Sequence, residues 1–166
     1  MAYSTIVKTK RDAQITLKDG TGTPVELIIQ YEEGNLSLDT PKEAQTVIRD
    51  RGSIVNVRKG DAEPAATGSF SAYFRQFTDG AEAGSLLDFI NKTGHYNGNT
   101  STGATGTPYV EFYCVDIEYF LDQSLTGDSS NHTATLSKCV CTASFTEGDP
   151  SSFTISFTCY GGITYA

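Results

Sequence analysis

The chain has 166 residues and a mass of 17.9 kDa, with 38% hydrophobic and only 19% charged residues. That size suits one domain with a proper core; nine Tyr and nine Phe exclude a disordered chain, and the low charge excludes a coiled coil. A net charge of −8, split as +1 over residues 1–60 and −9 over 61–166, leaves no basic footprint for gripping nucleic acid.

Period-two alternation dominates the chain. Ile15 and Leu17 alternate with Gln14, Thr16 and Lys18 until Asp19-Gly20-Thr21-Gly22 breaks the run. Val25, Leu27, Ile29 and Tyr31 share one strand face, opposite Glu26, Ile28, Gln30 and Glu32. A polar stretch without clean periodicity then runs from Asn35 to Asp50, followed by short strands around 54–58 and 68–74. Asp79 and Glu82 form a capping-box pattern. With Ala83, Leu86, Leu87 and Ile90 at helical spacing and Gly94 as the stop, they predict a helix of about twelve residues, over about 80–92. Residues 94–107 are rich in Gly, Ser, Thr and Asn and read as a flexible loop.

Along 109–122 the apolar face switches near Cys114, which predicts a β-bulge or a strand crossing between sheets. Asp116, Glu118 and Asp122 share a face there, either solvated or lining an aqueous channel. The most regular strand carries Phe153, Ile155, Phe157 and Cys159 on one face and Ser152, Thr154, Ser156 and Thr158 on the other. Its expected antiparallel neighbour is 138–146, across the turn Glu147-Gly148-Asp149-Pro150. The fold class that follows is mainly β: a sandwich or barrel of two packed antiparallel sheets in one domain, 1–166, with one flanking helix.

Chemistry is scarce. No P-loop, dinucleotide, nucleophile-elbow or HExxH pattern occurs. His95 and His132 lie in Gly/Asn/Ser-rich stretches that would hold a catalytic base poorly. Cys114, Cys139, Cys141 and Cys159 lack metal-ligand spacing and read as buried thiols, with Cys139 and Cys141 pointing inward beside Ala143 and Phe145. The expectation is a protein that is not an enzyme and holds neither cofactor nor metal. No apolar run approaches the ~20 residues of a membrane span. The first eight residues contain no basic-then-apolar leader, so neither membrane anchoring nor a secretory signal is expected.

The order of short motifs then becomes informative. Lys18-Asp19-Gly20-Thr21-Gly22-Thr23-Pro24 is followed by Tyr31-Glu32-Glu33-Gly34-Asn35-Leu36-Ser37, which opens a long segment that Arg49-Asp50-Arg51-Gly52 closes. Arg58-Lys59-Gly60-Asp61 and Thr67-Gly68-Ser69-Phe70-Ser71 come next. This resembles the major tail tube proteins of long-tailed, non-contractile (siphovirus-type) bacteriophages, with the motif signal confined to about residues 11–75. The resemblance implies a virion tail subunit, made in the bacterial host cytoplasm, whose copies form hexameric rings that stack into a hollow tube for DNA ejection.

Four strands from each of six subunits would close an inner barrel with a backbone diameter of roughly 50 Å and a bore of roughly 35–40 Å. On that resemblance the partners are the protein itself, a tape measure protein, a tail terminator and a distal tail protein, with DNA in transit and no sequence-specific binding. Glu26, Glu32, Asp116, Glu118 and Asp122 become candidates for an acidic lumen. Residues 34–52 resemble the family's long inter-ring contact loop, with Val47 and Ile48 as anchors and Lys42, Arg49 and Arg51 pairing with acids across the joint. The alternatives are a secreted or surface β-sandwich binding module (adhesin or pilus-like) and a tube protein of the type VI secretion kind.

Overall fold

The structure is a computed structural model that describes residues 6–29, 33–60, 64–79, 82–103, 110–124 and 127–166, with the side chains of 76–79 and 82–83 left out. Twelve strands appear in chain order among these residues. They are β1 (Ala13–Lys18), β2 (Glu26–Ile29), β3 (Gly34–Asp39), β4 (Gln45–Asp50), β5 (Ser53–Lys59), β6 (Ala66–Tyr73), β7 (Gln76–Asp79), β8 (Glu82–Ser85), β9 (Val115–Leu121), β10 (His132–Thr146), β11 (Ser152–Cys159) and β12 (Ile163–Tyr165). A short helix, α1 (Leu86–Asn91), follows β8.

One antiparallel sheet of eight strands runs β2-β1-β9-β10-β11-β6-β3, with β12 added beside β10. The fifteen-residue β10 makes this sheet into a sandwich. Its first part, through Leu136, pairs with β9 and β12, and from Cys139 onward it pairs with β11. Between Leu136 and Cys139 the register shifts, with Lys138 at φ 55. The strand therefore leaves one half of the sheet and enters the other at a bulge, as strands do at sandwich corners.

The two halves pack face to face. Ile15, Leu17, Leu27, Ile29, Ile117 and Leu136 from one side meet Phe70, Ala72, Phe153, Ile155, Phe157 and Cys159 from the other in one continuous core. The alternation read in β1, β2 and β11 is the burial pattern observed, and β11 pairs with β10 from Cys139↔Cys159 to Thr146↔Ser152 across the expected turn. Tyr31 lies outside the described residues. Cys114, Cys139 and Cys159 are buried and Cys141 is half-buried; all four are free thiols. Phe145 differs from expectation: it is 53% exposed and stacks at the sandwich end with Phe74 and Phe153.

Four further expectations are corrected. The helix has six residues, not twelve, because 76–85 forms a β-hairpin first. Its capping box is Ser85 with Asp88, not Asp79 with Glu82, and Lys92 in the left-handed region is its C-cap in place of Gly94. Segment 34–52 is no loop: Leu36 and Leu38 of β3 pack on the core edge, and β4 and β5 form a hairpin. The apolar switch near Cys114 marks where β9 begins, while the crossing strand is its neighbour β10.

Finally, 94–103 is anchored rather than flexible, with Tyr96 and Asn99 buried and the Cys114 N–H donating to Ser101 Oγ at 2.8 Å. Residues 104–107 of the expected loop fall partly outside the described residues.

The Ser85–Asp88 box makes a testable contribution. The Ser85 hydroxyl, the largest influence, and then Thr93 hold the Asp88 carboxyl below its ordinary range, although burial opposes them. A depressed carboxylate contributes stability above its unfolded pKa and loses it as pH falls through the folded one. Ser85→Ala is expected to cost about 1 kcal/mol at neutral pH. That difference should shrink in acid, as read from urea midpoints across pH.

Candidate assembly surfaces

The β4–β5 hairpin stands off the body. Every residue from Gln45 to Lys59 is exposed, and Gly60 N–H closes its base on Ala44 O at 2.6 Å. Arg51 and Gly52 both take positive φ (46° and 87°), the two-residue turn geometry that suits the twist of a hairpin. Arg49 donates from Nη1 to Gly52 O at 3.2 Å, and Lys59 pairs with Glu43 at 2.9 Å. Val47 sits directly opposite Val57. Together with Ile48, Ile54 and Val55, both are 41–64% exposed.

An apolar ribbon of this kind, held in water without cover, marks an interaction site. The sequence pointed to Lys42, Val47, Ile48, Arg49 and Arg51, and the structure brings all but Lys42 onto this arm, with Lys42 at its root. It missed the other half, Ile54, Val55 and Val57, because adjacent apolar pairs in both strands break the alternation. Residues 42–59 carry five basic and two acidic side chains, +3, so the remainder of the chain carries −11 of the total −8.

The acids expected on one channel wall divide by role. Glu26, Asp116 and Glu118 do share the outer face of the β2-β1-β9 half, but Lys18 sits among them. Its ammonium lies 2.9 Å from Glu118 and 3.2 Å from Glu26. Burial pulls the Lys18 pKa down, yet its bonds to Glu118 and Glu26 outweigh that and hold it above the ordinary value. The stabilisation is therefore complete below the unfolded lysine pKa and fades only as pH rises through the folded one. Lys18→Met should cost about 1 kcal/mol at neutral pH, measured by urea unfolding, because two carboxylates lose their shared cation.

Asp116 Oδ1 accepts the Lys138 N–H at 2.9 Å and so fastens the bulge of β10. Asp122 accepts the Ser124 N–H at 2.8 Å, a bond that holds its carboxyl below the usual range. Glu32 lies outside the described residues.

The opposite outer face has a different chemistry. On the β10-β11-β6-β3 half, β11 turns Ser152, Thr154, Ser156 and Thr158 outward. Beside them β10 sets Thr142, Ser144 and Thr146, and β6 sets Thr67, Ser69 and Ser71. Ser37 and Asp39 of β3 complete the face. It carries no Lys or Arg, and Asp39 supplies its single charge. The alternation of β11 was visible in the sequence, but the sheet-wide face was not, because it exists only once distant strands are laid in register.

This half also presents two long bare edges among the described residues. β3 pairs with β6 alone, and residues 140–146 of β10 pair with β11 alone. Neither edge carries Lys, Arg or Pro, the usual guards against pairing. The other bare edges, β2 and β12, have only four and three residues. Between the sandwich halves, Leu36, Leu38, Tyr119, Leu121 and Tyr165 line an apolar cleft of about 400 Å³.

His132 lies 3.1 Å from Asp128, which also meets Lys8 at 3.4 Å, an exposed ionic cluster. Among the described residues no His, Cys, Asp and Glu side chains gather in a metal-holding group. No described helix is long and apolar enough to cross a membrane.

No family profile matches the chain, and no curated protein sequence matches it. Among solved structures the fold is similar to a chain in the six-fold symmetrised cryo-EM structure of the anti-feeding prophage (AFP) baseplate. The TM-score is 0.52 at 11% identity, covering 100% of this chain and 97% of that one. The fold is thus that of a component of a phage-like assembly: mainly β, antiparallel, with one short helix.

Proposed function

We propose that this chain is a structural subunit of a phage-type tail, not an enzyme, whose copies join into hexameric rings that stack into a hollow tube for DNA. The observation that carries this reading is the pair of long, unguarded edges on one four-stranded half-sheet. Strands β10, β11, β6 and β3 alternate in direction, so β3 of one copy meets β10 of the next antiparallel. An even number of strands per copy lets a ring close with every pair antiparallel, and a heterologous contact of this kind closes when its rotation allows. Closure also removes the edges that would otherwise template aggregation. The full-length likeness to a chain of a six-fold phage-like assembly supports the ring number and the virion setting.

The β4–β5 arm springs from between β3 and β6, two strands of the ring-forming sheet, and so projects toward the ring above or below. Its charge of +3 faces bodies of −11, and the cleft lined by Leu36, Leu38 and Tyr165 offers cover for Val47 and Val57. Tape measure, terminator and distal tail proteins would meet the tube at its interior and ends.

Negative-stain microscopy of the concentrated protein is the test. Six-fold rings or hollow tubes are expected. Monomers that persist at high concentration would favour a β-sandwich binding module instead.

A further inference from the structure

We infer that the passage through the assembly is walled by the hydroxyl face of β10-β11-β6-β3, an almost uncharged surface that neither holds nor repels a polyanion. The inference rests on the ring proposed above and adds which face, and which chemistry, the cargo meets. When the bare edges of β3 and β10 close a ring, each half-sheet has one face on its own core and one face bare. The core face is already covered by the β2-β1-β9 layer, through Ile155 and Phe157 against Leu17 and Ile117. That layer must lie outside the ring, since placed inside it would fill the bore. The bare face then looks inward, and Glu26 and Glu118 come to lie on the outer surface.

The composition of the face fits a passage better than a docking surface. Protein interfaces centre on Tyr, Trp and Arg buried in pockets. Here Thr142, Ser144, Thr154 and Ser156 are exposed and short, and two of them donate to backbone on the neighbouring strand: Thr142 to Ser156 O and Ser144 to Thr154 O, each at 3.4 Å. A hydroxyl engaged this way is hydrated on its open side and presents no long side chain to a moving column. Nucleic acid is retained through cations that displace its counterions, and the face has none. The acid content of the chain, which suggested an electrostatically repelling wall, is spent elsewhere: on Lys18, on the bulge of β10 and on turns.

The test uses assembled particles of the full chain carrying a single new thiol, either Thr154→Cys or Glu26→Cys, with Ser156→Cys as a second inward probe. Particles are labelled with biotin-maleimide and challenged with streptavidin, a tetramer too wide for the bore, with the native chain as thiol background. Loss of streptavidin capture at 154 and 156 on assembly, with capture at 26 retained, is the expected result. Capture at 154 and 156 along intact tubes, or protection of 26, overturns the wall assignment while leaving the tube standing. Failure of the native chain to form any particle overturns the tube and the wall together.

A second readout is binding of a short duplex DNA at low salt. Native tubes should not retain it, whereas Ser156→Lys tubes should, with retention lost as salt rises. Retention by the native wall contradicts the inference.

Discussion

Replacing residues 45–59 with a short Gly-Asn-Gly bridge is expected to abolish tubes while leaving the subunit folded and able to form single rings. The ends to be joined are already adjacent, since Gly60 N–H bonds Ala44 O, and no residue of the arm is buried. Unfolding free energy should therefore change by less than about 0.5 kcal/mol, the scale of surface changes. Stacking should vanish, because Val47, Ile54 and Val57 are the exposed apolar residues that the arm brings to one place. Sedimentation velocity and microscopy read the two effects separately. Tubes of ordinary length without the arm would remove its contact role, and a large loss of stability would make it part of the core.

Asp19→Ala is expected to give the largest loss of stability for a single polar change. Its carboxylate is 2% exposed and accepts four hydrogen bonds: Val25 N–H at 2.7 Å, the Thr21 hydroxyl at 2.8 Å and N–H at 3.3 Å, and Thr100 N–H at 3.0 Å. It thereby ties the β1–β2 turn to the segment that follows α1. Beside it, a Cβ on Gly20 would fall on the Ser101 backbone, so the two chains cross in contact. Removing the acceptor leaves buried N–H groups unpaired, a loss of about 3 kcal/mol or more. The urea midpoint should fall with an unchanged slope, and Asp19→Asn, which keeps one acceptor oxygen, should recover part of the loss. A change below about 1 kcal/mol would mean that water satisfies these donors.

The Asp19 result explains part of what was legible. Lys18-Asp19-Gly20-Thr21-Gly22 stands out in the sequence because each residue has a local structural duty. β1, β2 and β11 were equally plain, since a strand with one buried face must alternate and Ile15, Leu27 and Ile155 have no local competitor. β3 was hidden because Gly34 and Asn35 both take positive φ at its start, which reads as turn. The helix start was misplaced because two capping-box patterns occur six residues apart. Only the second leads into Leu86, Phe89 and Ile90, which reach the core, while the first lies in a hairpin.

The candidate surfaces were less readable for a nonlocal reason. A β-strand declares which residues share a face but not which face is covered, and that depends on the register of partners far along the chain. Ser156 looks like an ordinary solvated residue until Ser69 and Thr142 are placed on either side of it. Asp116 and Glu118 look like a matched acid pair until Lys138 N–H and Lys18 claim them separately.

The most direct test of the account is a cryo-EM map of the concentrated protein that resolves contacts between copies. The account predicts a closed ring in which β3 of each subunit lies antiparallel against residues 140–146 of the next, with the β4–β5 arms reaching into the adjoining ring. A map in which those two edges stay bare, with copies joined elsewhere or not at all, would contradict it.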